Sequence, residues 1–173
     1  MDWEKLTAEI VAASRISFGD LLKNKNESFY AFILYTDGDC YTVVPAANSL
    51  EKYYEKSGNT EDAWYKWGSA EWAYEAWKGD EFTSICAQLS SFCGELPDND
   101  MQSFYDFKKN VHACMINALK RLDEEGFFDS IRNQIVLFIS SSDDDDDLEI
   151  ENKSAKILNS SSVYEKFLKR YDV

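Results

Sequence analysis

The chain has 173 residues, enough for one ordinary domain and too few for two with full-sized cores. With 45% apolar residues and eleven Phe, ten Tyr and five Trp, it can bury a substantial interior, which excludes disorder over most of its length. Its 18 basic residues against 32 acidic ones give a formal charge of −14, which repels a phosphate backbone and argues against a nucleic-acid partner.

No window carries the run of apolar residues needed to cross a bilayer, and the opening Met1-Asp2-Trp3-Glu4-Lys5 lacks the layout of a signal peptide. A cytoplasmic protein without membrane attachment is expected, with its four cysteines as thiols, since so apolar a chain needs no disulfide staples.

Trp3, Leu6, Ile10, Ala13, Phe18, Leu21 and Leu22 share one helical face and predict an amphipathic first helix. The run FYAFILY (29–35) reads as a buried strand. Asp37-Gly38 suggests a tight turn, with Gly supplying positive φ, into a second strand, giving a hairpin of 29–35 with 41–47. Pro45 limits the pairing of that second strand, and Asn48 with Glu51 has the spacing of a capping pair for a short helix ending near Gly58.

The tryptophans between residues 60 and 80 fit no single period, which predicts an irregular stretch followed by a short helix. Asp80 reads as the N-cap of a helix carrying Phe82, Ile85, Leu89 and Phe92. Phe104, Phe107, Val111, Cys114, Met115, Ala118 and Leu122 make the strongest helical stripe in the chain. QIVLFIS (134–140) reads as a strand buried on both faces, and Ser162 with Glu165 as the cap of a last helix. The whole predicts a single α+β domain over residues 1–173, a small antiparallel or mixed sheet packed with five to six helices.

The chemistry-bearing residues are few. His112 is the only histidine and reads as a helix-edge residue without a partner, and Cys40 has no evident base beside it. Cys86 and Cys93 are too far apart for the usual zinc or redox pair. The scattered glycines assemble neither a dinucleotide fingerprint nor a phosphate loop, so no cofactor is assigned and no catalytic residue is named.

Asp143, Asp144, Asp145, Asp146 and Asp147, followed by Glu149 and Glu151, form a dense acidic run. It lacks the Gly and Glu positions of a helix-loop-helix calcium site and reads as a solvated loop, able to serve as a docking point. The aromatic block containing Trp72 and Tyr74 reads first as core, with a ligand platform as the alternative.

At FYAFILYTD (29–37), TVVPAAN (42–48), WGSAEWAYE (67–75), LFIS (137–140), the acidic run and SAK (154–156), the chain resembles a bacterial domain-of-unknown-function family, number 4303. The resemblance spans nearly the whole chain. It implies a compact bacterial protein and brings no activity or catalytic residues with it.

These readings point to a non-enzymatic, immunity-like inhibitor that binds a basic protein partner, such as a toxin, through an acidic surface. The residues expected to carry the contact are Asp143, Asp144, Asp145, Asp146, Asp147 and Glu149, with Trp72 and Tyr74 as exposed ring anchors. Two alternatives stay open: a metal-dependent hydrolase using Asp37, Asp39 and the acidic run as oxygen ligands, and an aromatic-platform binder of carbohydrate or peptide.

Overall fold

The computed structural model describes residues 1–58, 61–97, 100–142 and 147–172. Helix α1 (Trp3–Asn24) is opened by Asp2, whose carboxylate accepts from the Lys5 amide at 3.0 Å. It buries Leu6, Ile10, Phe18 and Leu21, the face that its periodicity predicts. Strand β1 (Phe29–Asp37) follows, then strand β2 (Val44–Ser49), antiparallel to it from Tyr35 opposite Val44 to Phe29 opposite Ser49.

The hairpin is therefore present, but its connection is not the tight turn expected. Residues 38–43 form a wider loop, and the left-handed residue in it is Cys40 (φ 60°) rather than Gly38. The cause is the Asp37 carboxylate, which accepts from the amides of Asp39 (3.1 Å), Tyr41 (3.1 Å) and Thr42 (2.8 Å) and winds the chain around itself. The second strand consequently starts at Val44 instead of Tyr41 and runs through Pro45 to Ser49.

Helix α2 (Leu50–Ser57) is capped by Ser49, one residue later than the expected Asn48, and ends at Gly58 in the left-handed conformation (φ 64°). Glu51 is not a capping partner; its carboxylate accepts from the backbone and hydroxyl of Ser28. The tryptophan-rich stretch folds as a short helix α3 (Ala63–Trp67) and a two-residue strand β3 (Tyr74–Glu75) pairing with Ala46 and Ala47. Asp80 lies in a 3-10 turn ahead of helix α4 (Thr83–Gly94) and does not cap it.

Helix α5 (Met101–Glu124) is capped by Asp100 and buries the predicted stripe from Phe107 to Leu122. Strand β4 (Val136–Ser142) begins two residues later than expected, because the Gln134 amide is used in a turn to the Ile131 carbonyl. Helix α6 (Asp147–Leu158) takes in the end of the acidic run expected as a solvated loop, from Asp147 to Glu151, and helix α7 (Ser161–Leu168) follows after Ser160. Among the described residues there are thus seven α-helices, one more than the upper expectation, and an α+β architecture.

The sheet order is β3-β2-β1-β4, mixed because β4 lies parallel to β1. Both faces of the central strand are buried. Phe32 and Leu34 join the cluster built with α1, α4 and α5, while Tyr30, Ala31 and Ile33 face a second cluster that includes Tyr53, Trp72, Phe138 and Phe167. This is why β1 and β4 read as continuous apolar runs rather than alternating ones. The outer edge of β4 is closed by side chains of α6 and the residue after it: the Ser154 hydroxyl accepts from the Ile139 amide at 3.0 Å, and the Asn159 carboxamide pairs with the backbone of Leu137.

Candidate functional site

In the parallel register of β1 and β4, Asp37 stands opposite Ser142. The segments that follow the two strands therefore leave the sheet at one edge, its carboxyl end for this pair, which is where open sheets with parallel strands commonly place ligand contacts. One of these segments holds Asp39 and the other leads into the acidic run. Residues more than 100 positions apart are gathered by a single strand pairing.

Asp143, Asp144, Asp145 and Asp146 lie outside the described residues. Asp147 starts α6, and its Oδ1 accepts from the Ser141 amide at 2.8 Å and the Ser140 hydroxyl at 3.1 Å, tying the helix start to the end of β4. Acidic side chains in a first helical turn are favoured by the helix dipole, which is one reason the charge-rich sequence folds as helix here. Glu149 is exposed and forms an i,i+4 ion pair with Lys153. Leu148 between them is 52% exposed.

Glu151, the last acid of the run, is not part of a solvated loop. It is buried, accepts from the Ser140 hydroxyl at 2.9 Å, and pairs with the guanidinium of Arg170 at 2.7 Å. Burial and the nearby Asp147 push its carboxyl up to about 7, against the opposing pull of Arg170. The run thus divides into an outer acidic part and an inner charge that fastens α6 to the C-terminal segment.

Asp37 is committed to its loop. Besides three amides, its carboxylate accepts from the Thr42 hydroxyl at 2.5 Å, so the residue named as a possible metal ligand is an organiser of residues 38–43. Asp39 is exposed. Among the described residues, no group of three or more His, Cys, Asp or Glu side chains is placed to hold a metal ion.

Two ring residues expected at the surface are corrected by their burial. Trp72 is 4% exposed and donates its indole N–H to the Lys66 carbonyl at 3.1 Å; Tyr74 is 3% exposed and donates its hydroxyl to the Glu27 carboxylate at 2.8 Å. Trp72 packs edge-on against Tyr30 and Phe138, so both side chains belong to the interior and cannot serve as exposed anchors. The ring that does reach solvent at the acidic edge is Tyr41, 39% exposed. Sequence reasoning missed Tyr41 and Leu148, although each stands within two residues of a named acid.

A second correction concerns Cys40. Its Sγ lies 3.4 Å from Nε2 of His112, so a base does stand beside it, brought from α5 by the loop that Asp37 winds. The thiol is fully buried. The contact fastens residues 38–43 to α5, and the buried thiol is not presented as a nucleophile at the surface. Tyr41 adds a contact of its hydroxyl with Cys93 on α4.

The family model described as domain of unknown function (DUF4303) matches residues 10–160. No curated protein and no solved structure matches the chain.

Proposed function

Because this chain belongs to the family of the domain of unknown function DUF4303, which carries no assigned chemistry with it, its function has to be argued from its own surface, and we propose that it is a non-enzymatic bacterial binding protein engaging a basic protein partner through the acidic edge of its sheet. Inhibition of a basic toxin, in the manner of an immunity protein, is the form of binding that this surface fits.

The observation that supports the reading most is the register that sets Asp37 against Ser142, since it gathers the loop of Asp39 and the start of α6 on one edge. Asp39 and Glu149 there are exposed acids, and Tyr41 and Leu148 are exposed apolar groups beside them. Charge at a rim speeds encounter and disfavours wrong partners, while a ring or aliphatic side chain that becomes buried carries affinity. The groups behind the edge, half-buried Asp37 with its loop and buried Glu151 with Arg170, hold it in a fixed shape before binding, which reduces the ordering cost of association.

Affinity capture from the native host tests the proposal. The expected result is a protein rich in Lys and Arg, retained at low salt and largely released at high salt, because screened charges lose most of their attraction. Recovery of no partner, or of one whose retention ignores salt, would overturn it.

A further inference from the structure

Asp147 and Glu151 stand four residues apart on α6 and so share one of its faces. Between their carboxyls lies one group of β4, the Ser140 hydroxyl, 3.1 Å from Oδ1 of Asp147 and 2.9 Å from Oε1 of Glu151. A hydroxyl carries one hydrogen, so it can donate to only one of the two at a time. The second close contact is a hydrogen bond only when that carboxyl carries a proton of its own and donates it to the hydroxyl oxygen.

The surroundings decide which carboxyl holds the proton. Oδ1 of Asp147 also receives the Ser141 amide at 2.8 Å and belongs to the first turn of α6, where the helix dipole favours negative charge. Glu151 is 4% exposed, and burial disfavours its ionised form. The proton therefore belongs on Oε1 of Glu151. The result is a directed chain in which Glu151 donates to Ser140 and Ser140 donates to Asp147, while Oε2 of Glu151 still accepts from Arg170 at 2.7 Å.

We infer that this chain is a proton-linked control of the acidic edge, in which docking of a basic partner ionises Glu151 and releases its proton to solvent. The linkage rests on the acidic edge being the docking surface. Asp147 is half-buried at that edge, one helical turn before Glu151 and two residues before exposed Glu149. A cation brought beside it offsets its repulsion of Glu151 and favours the second negative charge.

The balance is poised for such a change. Burial first, and then Asp147 on the same helix, oppose ionisation of Glu151; from the segment after α7, the Arg170 guanidinium favours it. Tyr171 beside them has its hydroxyl pushed up from its ordinary value, chiefly by burial, and stays neutral near pH 7. Together these place the Glu151 carboxyl at about 7, so both of its states are populated near neutrality.

The test is titration calorimetry of the whole chain with acetylated, amidated octalysine, whose charge stays constant between about pH 5.5 and 8.5. Affinity should rise about five- to tenfold over that range, as for a carboxyl whose midpoint falls by about one pH unit on binding. At pH 7, heats measured in phosphate and in Tris should differ by the release of roughly half a proton per peptide. Glu151→Gln keeps an acceptor for Arg170 and a donor for Ser140, so it imitates the protonated chain. It should bind at all pH values as the native chain does at pH 5.5, with no proton release. Binding that is lost in Asp39→Lys/Glu149→Lys but releases no proton in the native chain, or that keeps its pH dependence in Glu151→Gln, would overturn the linkage and leave the acidic edge standing. Binding indifferent to Asp39→Lys/Glu149→Lys would overturn both.

Discussion

Asn159 grips the backbone of Leu137 from outside the sheet: its side-chain amide donates to the Leu137 carbonyl at 2.6 Å while its carbonyl oxygen accepts from the Leu137 amide at 3.0 Å. The carboxamide thereby imitates the neighbour strand that β4 lacks on this side. Two residues along, the Ser154 hydroxyl accepts from the Ile139 amide and donates to its carbonyl, and at the end of the strand the Asp147 carboxylate accepts from the Ser141 amide. A row of helix side chains seals an edge that would otherwise pair with other chains. Strand addition to β4 is accordingly closed as a mode of partner binding.

The edge seal is expected to carry measurable stability. Replacing Asn159 by Ala removes both bonds to Leu137 and should lower unfolding free energy by about 1–3 kcal/mol. Replacing it by Asp keeps the acceptor but sets a carboxylate against the Leu137 carbonyl, so no rescue is expected. Urea denaturation of both variants checks this, together with aggregation of the Ala variant once the edge is uncovered.

The buried pair of Glu151 and Arg170 should behave asymmetrically. Glu151→Leu alone leaves a buried guanidinium without its carboxylate and is expected to cost about 3–5 kcal/mol, whereas Glu151→Leu with Arg170→Met should recover most of that loss. A double-mutant cycle in urea measures the difference. If the single and double variants are equally unstable, the pair is not the fastening of α6 to the C-terminal segment.

Glu151 also sets a pH dependence. Its carboxyl titrates near 7 in the folded chain against an ordinary value of 4.5, so the folded state holds this proton more tightly than the unfolded state does. Its contribution to stability is complete below about pH 4.5 and is lost as pH rises through about 7. Asp147 and Arg170 act on it with opposite signs. The drop in urea midpoint between pH 5 and pH 7.5 should therefore be larger in the native chain than in Glu151→Gln, and an equal drop in both would contradict the assignment.

Asp37 should matter for its loop alone. In Asp37→Ala the amides of Asp39, Tyr41 and Thr42 lose their acceptor, and hydrogen exchange at these three positions is expected to quicken by about tenfold or more, with the interior of β1 still protected. Uniform acceleration across β1 would show that the carboxylate supports the sheet and not only the loop.

Much of this architecture was legible in the sequence for a simple reason. Helices α1 and α5 are long and bury continuous stripes, and β1 and β4 are apolar on both faces, so period and composition are enough to find them. Helix α6 was hidden because three of its four buried side chains, Glu151, Ser154 and Ala155, are polar or small, so large apolar groups do not mark its inner face. The tight turn at Gly38 was misplaced because a carboxylate two residues ahead of Asp39 organises a longer loop.

The candidate site was less legible. The acids at both ends of it were evident, but their neighbourhood depends on a parallel pairing between strands 100 residues apart, and no local pattern encodes that. The same holds for Cys40 with His112, and for Trp72 and Tyr74, whose burial is decided by rings from β1 and β4 that the sequence does not place beside them.

The most direct measurement is capture of the host partner by three forms of the chain: native, Asp39→Lys/Glu149→Lys at the acidic edge, and Lys166→Glu/Lys169→Glu at the far end of the sheet. Retention of a basic protein by the native chain and the far-end variant, with loss in the acidic-edge variant, is the expected result. Retention by all three forms, or loss in the far-end variant alone, would contradict the acidic edge as the docking surface.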